Sequence, residues 1–280
     1  MDKHCHSGKA KAGLAAAVPL AILMLCPAER CQGGTADKQN GKKSVSGTTY
    51  RKPPDFLEQE LHALVTDLGE PVHTFPPDFL TKVRRWTRLY QTRDRGEIVQ
   101  VLGPRRHDFQ IVRQQLASAD LPPDLAFVTL VESHFQAGSI SPDDNVGLWQ
   151  FNRDTARRNG LKVSDGADER LDPAKSTQAA CRYLLRLRHQ LGRENSLMLA
   201  LAGYNMGPGR LKERTAQVDG LSTRSNFWNL YQAGIFPALT QNHLTRLMAA
   251  ILIGRHPQHF GFEIPTDGDF QTVSSRASCY

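Results

Sequence analysis

The chain has 280 residues, 35 Lys plus Arg against 28 Asp plus Glu, and a net charge of +7. With 40 % hydrophobic and 22 % charged residues, its composition is that of an ordinary folded protein and excludes a collagen-like, coiled-coil or wholly disordered chain. Five cysteines are too few for a small disulfide scaffold, and the basic balance favours anionic surroundings without choosing among nucleic acid, lipid and cell-wall polymer.

Lys3, Lys9 and Lys11 precede an apolar run of 13 residues from Leu14 to Cys26, which contains Pro19 and is too short to span a bilayer comfortably. With Ala28 as the small residue behind it, residues 1–28 read as a secretory signal peptide. An uncleaved membrane anchor is the alternative. Leu25, where a small residue should precede a lipidated Cys26, counts against a lipoprotein. Cleavage would leave Cys31, Cys181 and Cys279, and an oxidising compartment would permit a bridge such as Cys181–Cys279. Residues 29–54 are rich in Gly, Ser, Thr and Lys and read as a flexible linker; residues 266–280 read as a similar tail.

Between these ends the apolar pattern is helical. One stripe runs through Phe56, Leu57, Leu61, Leu64, Val65 and Leu68; a second, after Pro76-Pro77, through Phe79, Leu80, Val83, Trp86 and Tyr90. Short helices follow around Ile98–Leu102, ended by Gly103-Pro104, and around Phe109, Val112 and Leu116. Asp172-Pro173 should cap a helix that stops at Gly192. Leu197–Met206 is apolar almost all round, which marks a central buried helix stopped by Gly207. A last stripe, Leu244, Leu247, Met248, Ile251 and Leu252, should end at Gly254. The fold class is therefore mostly α.

Three segments carry chemistry. From Pro122 to Phe135 the pattern predicts a helix of about three turns. Glu132, seven residues after Leu125, falls on the face of Leu125, Val128 and Phe135. Desolvation there favours the protonated carboxyl, as a general acid requires. The plain alternative is a glutamate turned outward at a frayed end or paired with an arginine. Gly147-Leu148-Trp149-Gln150 follows a Ser141–Asn145 turn; the indole suits stacking on a sugar face and the amide suits a hydroxyl or acetamido group, although Trp149 also fits a core. Tyr204-Asn205 closes the buried helix before Gly207, either as polar groove residues or as an ordinary helix end.

Taken together, Glu132-Ser133, then Gly147–Gln150, then Tyr204-Asn205-x-Gly207 resemble the catalytic domain of family 1 lytic transglycosylases, within the lysozyme-like superfamily. The similarity is in particular to the membrane-bound murein transglycosylase D type. It extends from about Phe79 to Pro265, supported by Leu171-Asp172-Pro173, Ala179-Ala180-x-x-Tyr183-Leu184 and Phe227-Trp228-x-Leu230. The resemblance implies a goose-type lysozyme-like domain at residues 119–265, with residues 55–118 as an N-terminal helical extension.

It also implies cleavage of the β-1,4 bond between N-acetylmuramic acid and N-acetylglucosamine, with Glu132 as the only acid/base and a 1,6-anhydro product. Ser133, Gln150, Tyr204 and Asn205 would bind substrate, and Trp149 would shape the groove or support it from behind. The partners implied are peptidoglycan glycan strands, with an envelope-complex partner left open. The protein would be a monomer in the periplasm or cell envelope, membrane association also open, with no cofactor and no metal. Departures from the family pattern are Phe151-Asn152-Arg153 after the Gly-Leu-Trp-Gln motif, Gly203 for alanine, and Leu239 and His243 for the Glu and Tyr of a later Glu-Thr…Tyr motif.

Two readings compete with it. A non-catalytic murein-binding scaffold rests on the altered Leu239–His243 segment and the basic linker. A hydrolytic muramidase would need a water-positioning carboxylate, for which Asp143 and Asp144 are the candidates. Nucleic acid fits less well, because the arginines at 84–85, 105–106 and 157–158 are dispersed.

Overall fold

The computed structural model describes residues 55–191, 196–218, 220 and 226–263. The signal-peptide, linker and tail readings (1–28, 29–54 and 266–280) lie outside the described residues, as do Gly192 and Cys279. All described residues fall in one unit beginning at Pro54.

Helix α1 (Phe56–Asp67) starts where Asp55 accepts a hydrogen bond from the Glu58 amide at 3.1 Å, and it buries Leu61, Leu64 and Val65. Helix α2 (Pro77–Gln91) has proline in its first turn, where no intrahelical N–H is needed, and turns Phe79, Val83 and Tyr90 inward. Helices α3 (Arg95–Leu102) and α4 (Arg106–Ala117) follow, with Gly103 between them. The expected three-turn helix at 122–135 is shorter than the pattern predicts. Residues Pro123–Ala126 form a 3₁₀ turn, and α5 covers only Phe127–Ser133. Pro122-Pro123 supply no amide donors to the first turn. Asp124 is drawn aside to Arg113 (2.9 Å) and Arg255 (2.7 Å). At the other end His134 and Phe135 take left-handed φ angles of 53° and 58°.

Next come α6 (Arg153–Arg158) and an antiparallel two-stranded ribbon, β1 (Val163–Ser164) and β2 (Ala167–Asp168). A 3₁₀ turn over Glu169–Leu171 leads to α7 (Pro173–Leu191). The Asp172 carboxylate caps α7 by accepting the Ala174 and Lys175 amides, both at 2.9 Å. Helix α8 (Leu197–Met206) is buried almost throughout, is capped by Ser196, and ends at Gly207, whose φ is +89°. Helices α9 (Pro208–Thr215), α10 (Phe227–Gln232) and α11 (Ala238–Arg255) follow.

The described residues are mostly helical, as the sequence indicates. Residues 55–118 do not stand apart from the rest: α1 and α2 lie on α11, α4 lies on α7, and one hydrophobic core runs from Leu61 to Phe262. Among the described residues no helix is long and apolar enough to cross a membrane. Cys181 is buried, its thiol directed to the Gln115 carbonyl, and burial pushes its pKa up.

Gly254 was expected to stop the last helix, but α11 continues through it to Arg255. The glycine serves packing: a Cβ there would lie 2.0 Å from the Phe127 ring of α5. We therefore expect Gly254→Ala to destabilise the fold by about 1–3 kcal/mol in urea unfolding, the range for overpacking a tight core. Gly209→Ala, where a Cβ meets nothing within 4 Å, serves as the control and should be neutral or mildly stabilising.

Candidate functional site

Glu132 sits in the last turn of α5, with 19 % of its side chain exposed. Its Oε1 lies 2.9 Å from Nε2 of His243, which projects from α11 with 7 % of its side chain exposed. The alternative of an arginine partner is not met; the partner is His243. Leu239, at the start of α11, is 49 % exposed.

One turn beyond His243, Arg246 fastens α11 to the same corner. It donates to the Val131 carbonyl (3.4 Å), to the Tyr90 hydroxyl (3.0 Å) and to Glu97 Oε2 (2.7 Å), and its guanidinium lies over the Trp86 ring. Glu97 also pairs with His134 at 3.0 Å. Burial disfavours the Glu97 carboxylate, but the His134 hydrogen bond and the Arg246 charge outweigh it and hold its pKa low. Burial likewise opposes the Arg246 charge, yet Tyr90 and Glu97 hold its pKa up; the buried Tyr90 hydroxyl is pushed up to about 12.

The opposite wall is the 139–151 loop. Gly147 has φ +85°, and a Cβ on it would lie 1.9 Å from the Arg170 carbonyl oxygen, so only glycine fits. The Arg170 side chain, 1 % exposed, donates to the carbonyls of Asp144 (2.7 Å) and Phe151 (3.0 Å) and pairs with Asp168 at 2.7 Å. The loop is thereby clamped from inside by a cation.

Three contacts join the loop to the helices. Ser133 Oγ donates to the Leu148 carbonyl at 2.9 Å, with the Thr129 carbonyl at the same distance. Tyr204 OH donates to the Trp149 carbonyl, tying α8 to the loop. Trp149 Nε1 donates to Thr177 Oγ1 of α7 at 3.0 Å.

The loop is thereby held against α5 and α8, and the Glu132 charge reaches the Tyr204 phenol. Trp149 is wholly buried and has no surface to offer a sugar ring; it supports the loop from behind. Ser133 is 2 % exposed and its proton is committed to carbonyls, so it docks the loop and does not face a ligand. Gln150, at φ +48°, donates Nε2 to the Gly147 carbonyl (2.9 Å) and the Ser139 carbonyl (3.3 Å). Tyr204 packs on Tyr183 at 5.4 Å. Burial, and next the Glu132 charge, push its pKa well up, which keeps the phenol a donor. Asn205 is half-buried beside it. Asp144 is bound to Arg153 (2.8 Å) and Arg170 (3.5 Å), and the Arg153 hydrogen bond leads the effects that hold its pKa low. Among the described residues, no group of three or more His, Cys, Asp or Glu is disposed to hold a metal ion.

Sequence reasoning missed Arg170, Glu97 and Arg246. Each works through contacts distant in sequence, and no local spacing announces them. The one usable signal was Gly147, whose need for glycine points to a close backbone approach.

Residues 110–227 match the family described as "Transglycosylase SLT domain". Over 162 residues the chain is 28 % identical to "Membrane-bound lytic murein transglycosylase D" of Escherichia coli (strain K12), covering 57 % of this chain and 34 % of that protein. It is 29 % identical over 153 residues to "Membrane-bound lytic murein transglycosylase F 2" of Alkalilimnicola ehrlichii, covering 52 % and 32 %. It is 33 % identical over 104 residues to "Membrane-bound lytic murein transglycosylase F" of Shewanella halifaxensis, covering 35 % and 21 %. The chain thus spans about a third of the length of the first two and less of the third.

Two measurements check the geometry. Ser133→Ala should cost about 1–3 kcal/mol in urea unfolding, because the Leu148 carbonyl loses its buried donor. The folded state lowers the Glu97 pKa, so its stabilising contribution is complete above the unfolded carboxyl value of about 4.3 and disappears as pH falls through the lower folded value. The stability difference between wild type and Glu97→Gln should accordingly be constant near neutrality and shrink on acidification below about pH 5.

Proposed function

We propose that the transglycosylase SLT domain carried by residues 110–227 of this chain works as a peptidoglycan lytic transglycosylase, cleaving the bond between N-acetylmuramic acid and N-acetylglucosamine. The observation that carries the reading is the position of Glu132. Its partly exposed carboxyl stands beside a loop joined to its own helix through Ser133–Leu148 and to α8 through Tyr204–Trp149.

In this reading Glu132 is the single acid/base. It gives its proton to the glycosidic oxygen as the C1–O bond breaks and the glucosamine end departs. The muramoyl acetamido oxygen assists at the anomeric carbon. The carboxylate then takes the proton of the muramoyl C6 hydroxyl, whose oxygen closes the 1,6-anhydro ring. Glu132 ends protonated as it began, and no water is consumed. A second carboxylate is not needed, in contrast to two-carboxylate glycosidases. The neighbouring acids are committed elsewhere, Glu97 to Arg246 and His134, and Asp144 to Arg153 and Arg170. That commitment of Asp144 weighs against the muramidase alternative.

Gln150, Tyr204 and Asn205 form the sugar-facing side of the groove. The Tyr204 ring, partly buried and fixed by its hydroxyl, bounds the site, and the hydroxyl proton is held by the Trp149 carbonyl. The reading puts the enzyme in the periplasm or cell envelope, exported by residues 1–28, acting on glycan strands as a monomer.

The test is digestion of isolated sacculi by wild type and Glu132→Gln, with released muropeptides weighed by mass spectrometry. We expect products lighter by one water than their reducing-end counterparts, falling by at least about 10²-fold in the variant, in the range for loss of a general acid. Water-added products would replace the reading with a muramidase. Sacculus binding without products would replace it with a scaffold.

A further inference from the structure

We propose that His243 is the positioning residue for the Glu132 carboxyl, holding Oε1 as an acceptor and thereby reserving Oε2 for the proton that reacts; this rests on the reading of Glu132 as the acid/base. The first observation is the contact itself, 2.9 Å between His243 Nε2 and Glu132 Oε1, made by an imidazole with 7 % of its side chain exposed. The second is the far side of the ring. His243 Nδ1 is buried and has no hydrogen-bond partner. A proton on Nδ1 would be a buried donor without an acceptor, which is costly, whereas a bare lone pair costs less. That asymmetry favours the tautomer that carries its proton on Nε2 over the one that carries it on Nδ1. In that tautomer the nitrogen facing Glu132 is the donor.

The third observation is the anchoring of the ring's backbone. Arg246, three residues later on α11, donates to the Val131 carbonyl beside Glu132 and to Glu97. Helix α11 is thus tied to α5 and to α3 one turn beyond the His243–Glu132 contact, which fixes the backbone that carries the imidazole.

A neutral donor on Oε1 suits both halves of the reaction. While Glu132 is protonated on Oε2, the Nε2–H bond keeps the carboxyl plane fixed and leaves Oε2–H toward the groove. After transfer, the same N–H stabilises the carboxylate until Oε2 takes the C6-hydroxyl proton. His243 keeps its own proton throughout, so it positions and does not relay.

The test compares the full chain with His243→Phe, which removes the donor, and His243→Gln, which offers an amide N–H of similar reach. On soluble uncross-linked glycan strands we expect kcat to fall by about 10²-fold in His243→Phe, with KM within roughly threefold of wild type, since misaligning the reacting group leaves strand binding intact. His243→Gln should recover at least about tenfold of that loss. Thermal unfolding of each variant establishes that it is folded. Unchanged kcat in a folded His243→Phe, or equal losses in both variants, would overturn the proposal.

A second readout does not depend on turnover: ¹⁵N NMR of the His243 ring in the wild-type chain. Neutral imidazole protonated on Nε2, with its shifts moved by Glu132→Gln, is expected. An Nδ1–H tautomer or an imidazolium would overturn the proposal even in an active enzyme. A wild-type chain that releases no product would instead overturn the functional reading, and the positioning role with it.

Discussion

A guanidinium with almost no solvent contact decides the shape of the site. Arg170 is paired with Asp168 and bonded to the Asp144 and Phe151 carbonyls, so a charge that would be prohibitive to bury alone becomes the filling of a loop. Its own carbonyl lies where a side chain at position 147 would have to be, which is why that position is glycine. With the loop set from inside, Ser133 and Tyr204 need only one hydrogen bond each to place it against α5 and α8. A partial loss of this clamp would leave an unpaired cation in the interior, so the loop is held as a unit or not at all.

Much of this was legible in the residues. Helical stripes gave the positions of α1, α2, α4, α7, α8 and α11, since burying one face imposes a period that the side chains must follow. Glu132 stood out because it interrupted such a face. The roles of its neighbours were less legible. Ser133 and Trp149 carry polar atoms that looked suited to a ligand, but those atoms are used up inside the protein. Which partner a hydroxyl or indole finds depends on segments 15 and 28 residues away, and periodicity carries no such information. The proline pair before α5 was visible, yet its effect on the first turn depended on Asp124 being drawn to Arg113 and Arg255.

Helix α11 has two functions that its composition hides. Its apolar stripe makes it the core helix against which α2, α5 and α8 pack. Its polar residues, His243 and Arg246, face the same corner of α5 and meet a carboxylate and a carbonyl there. Close approach near the other end of α11 relies on Gly254, where the backbone touches the Phe127 ring. A loss of packing at that glycine would be felt by both polar contacts, because all three belong to one rigid rod.

Of the five non-glycine residues with positive φ among the described residues, four lie between the end of α5 and the close of the 139–151 loop: His134, Phe135, Asp144 and Gln150. Each holds a backbone that L-residues enter at a cost of about 1–2 kcal/mol, met by contacts from the surrounding walls. The molecule's reserve of stability thus lies in the distant helices, while its working edge is under permanent tension. Selection or engineering for robustness has more freedom in α1 than between residues 132 and 151. There, relieving the backbone would also release the geometry that the tension maintains.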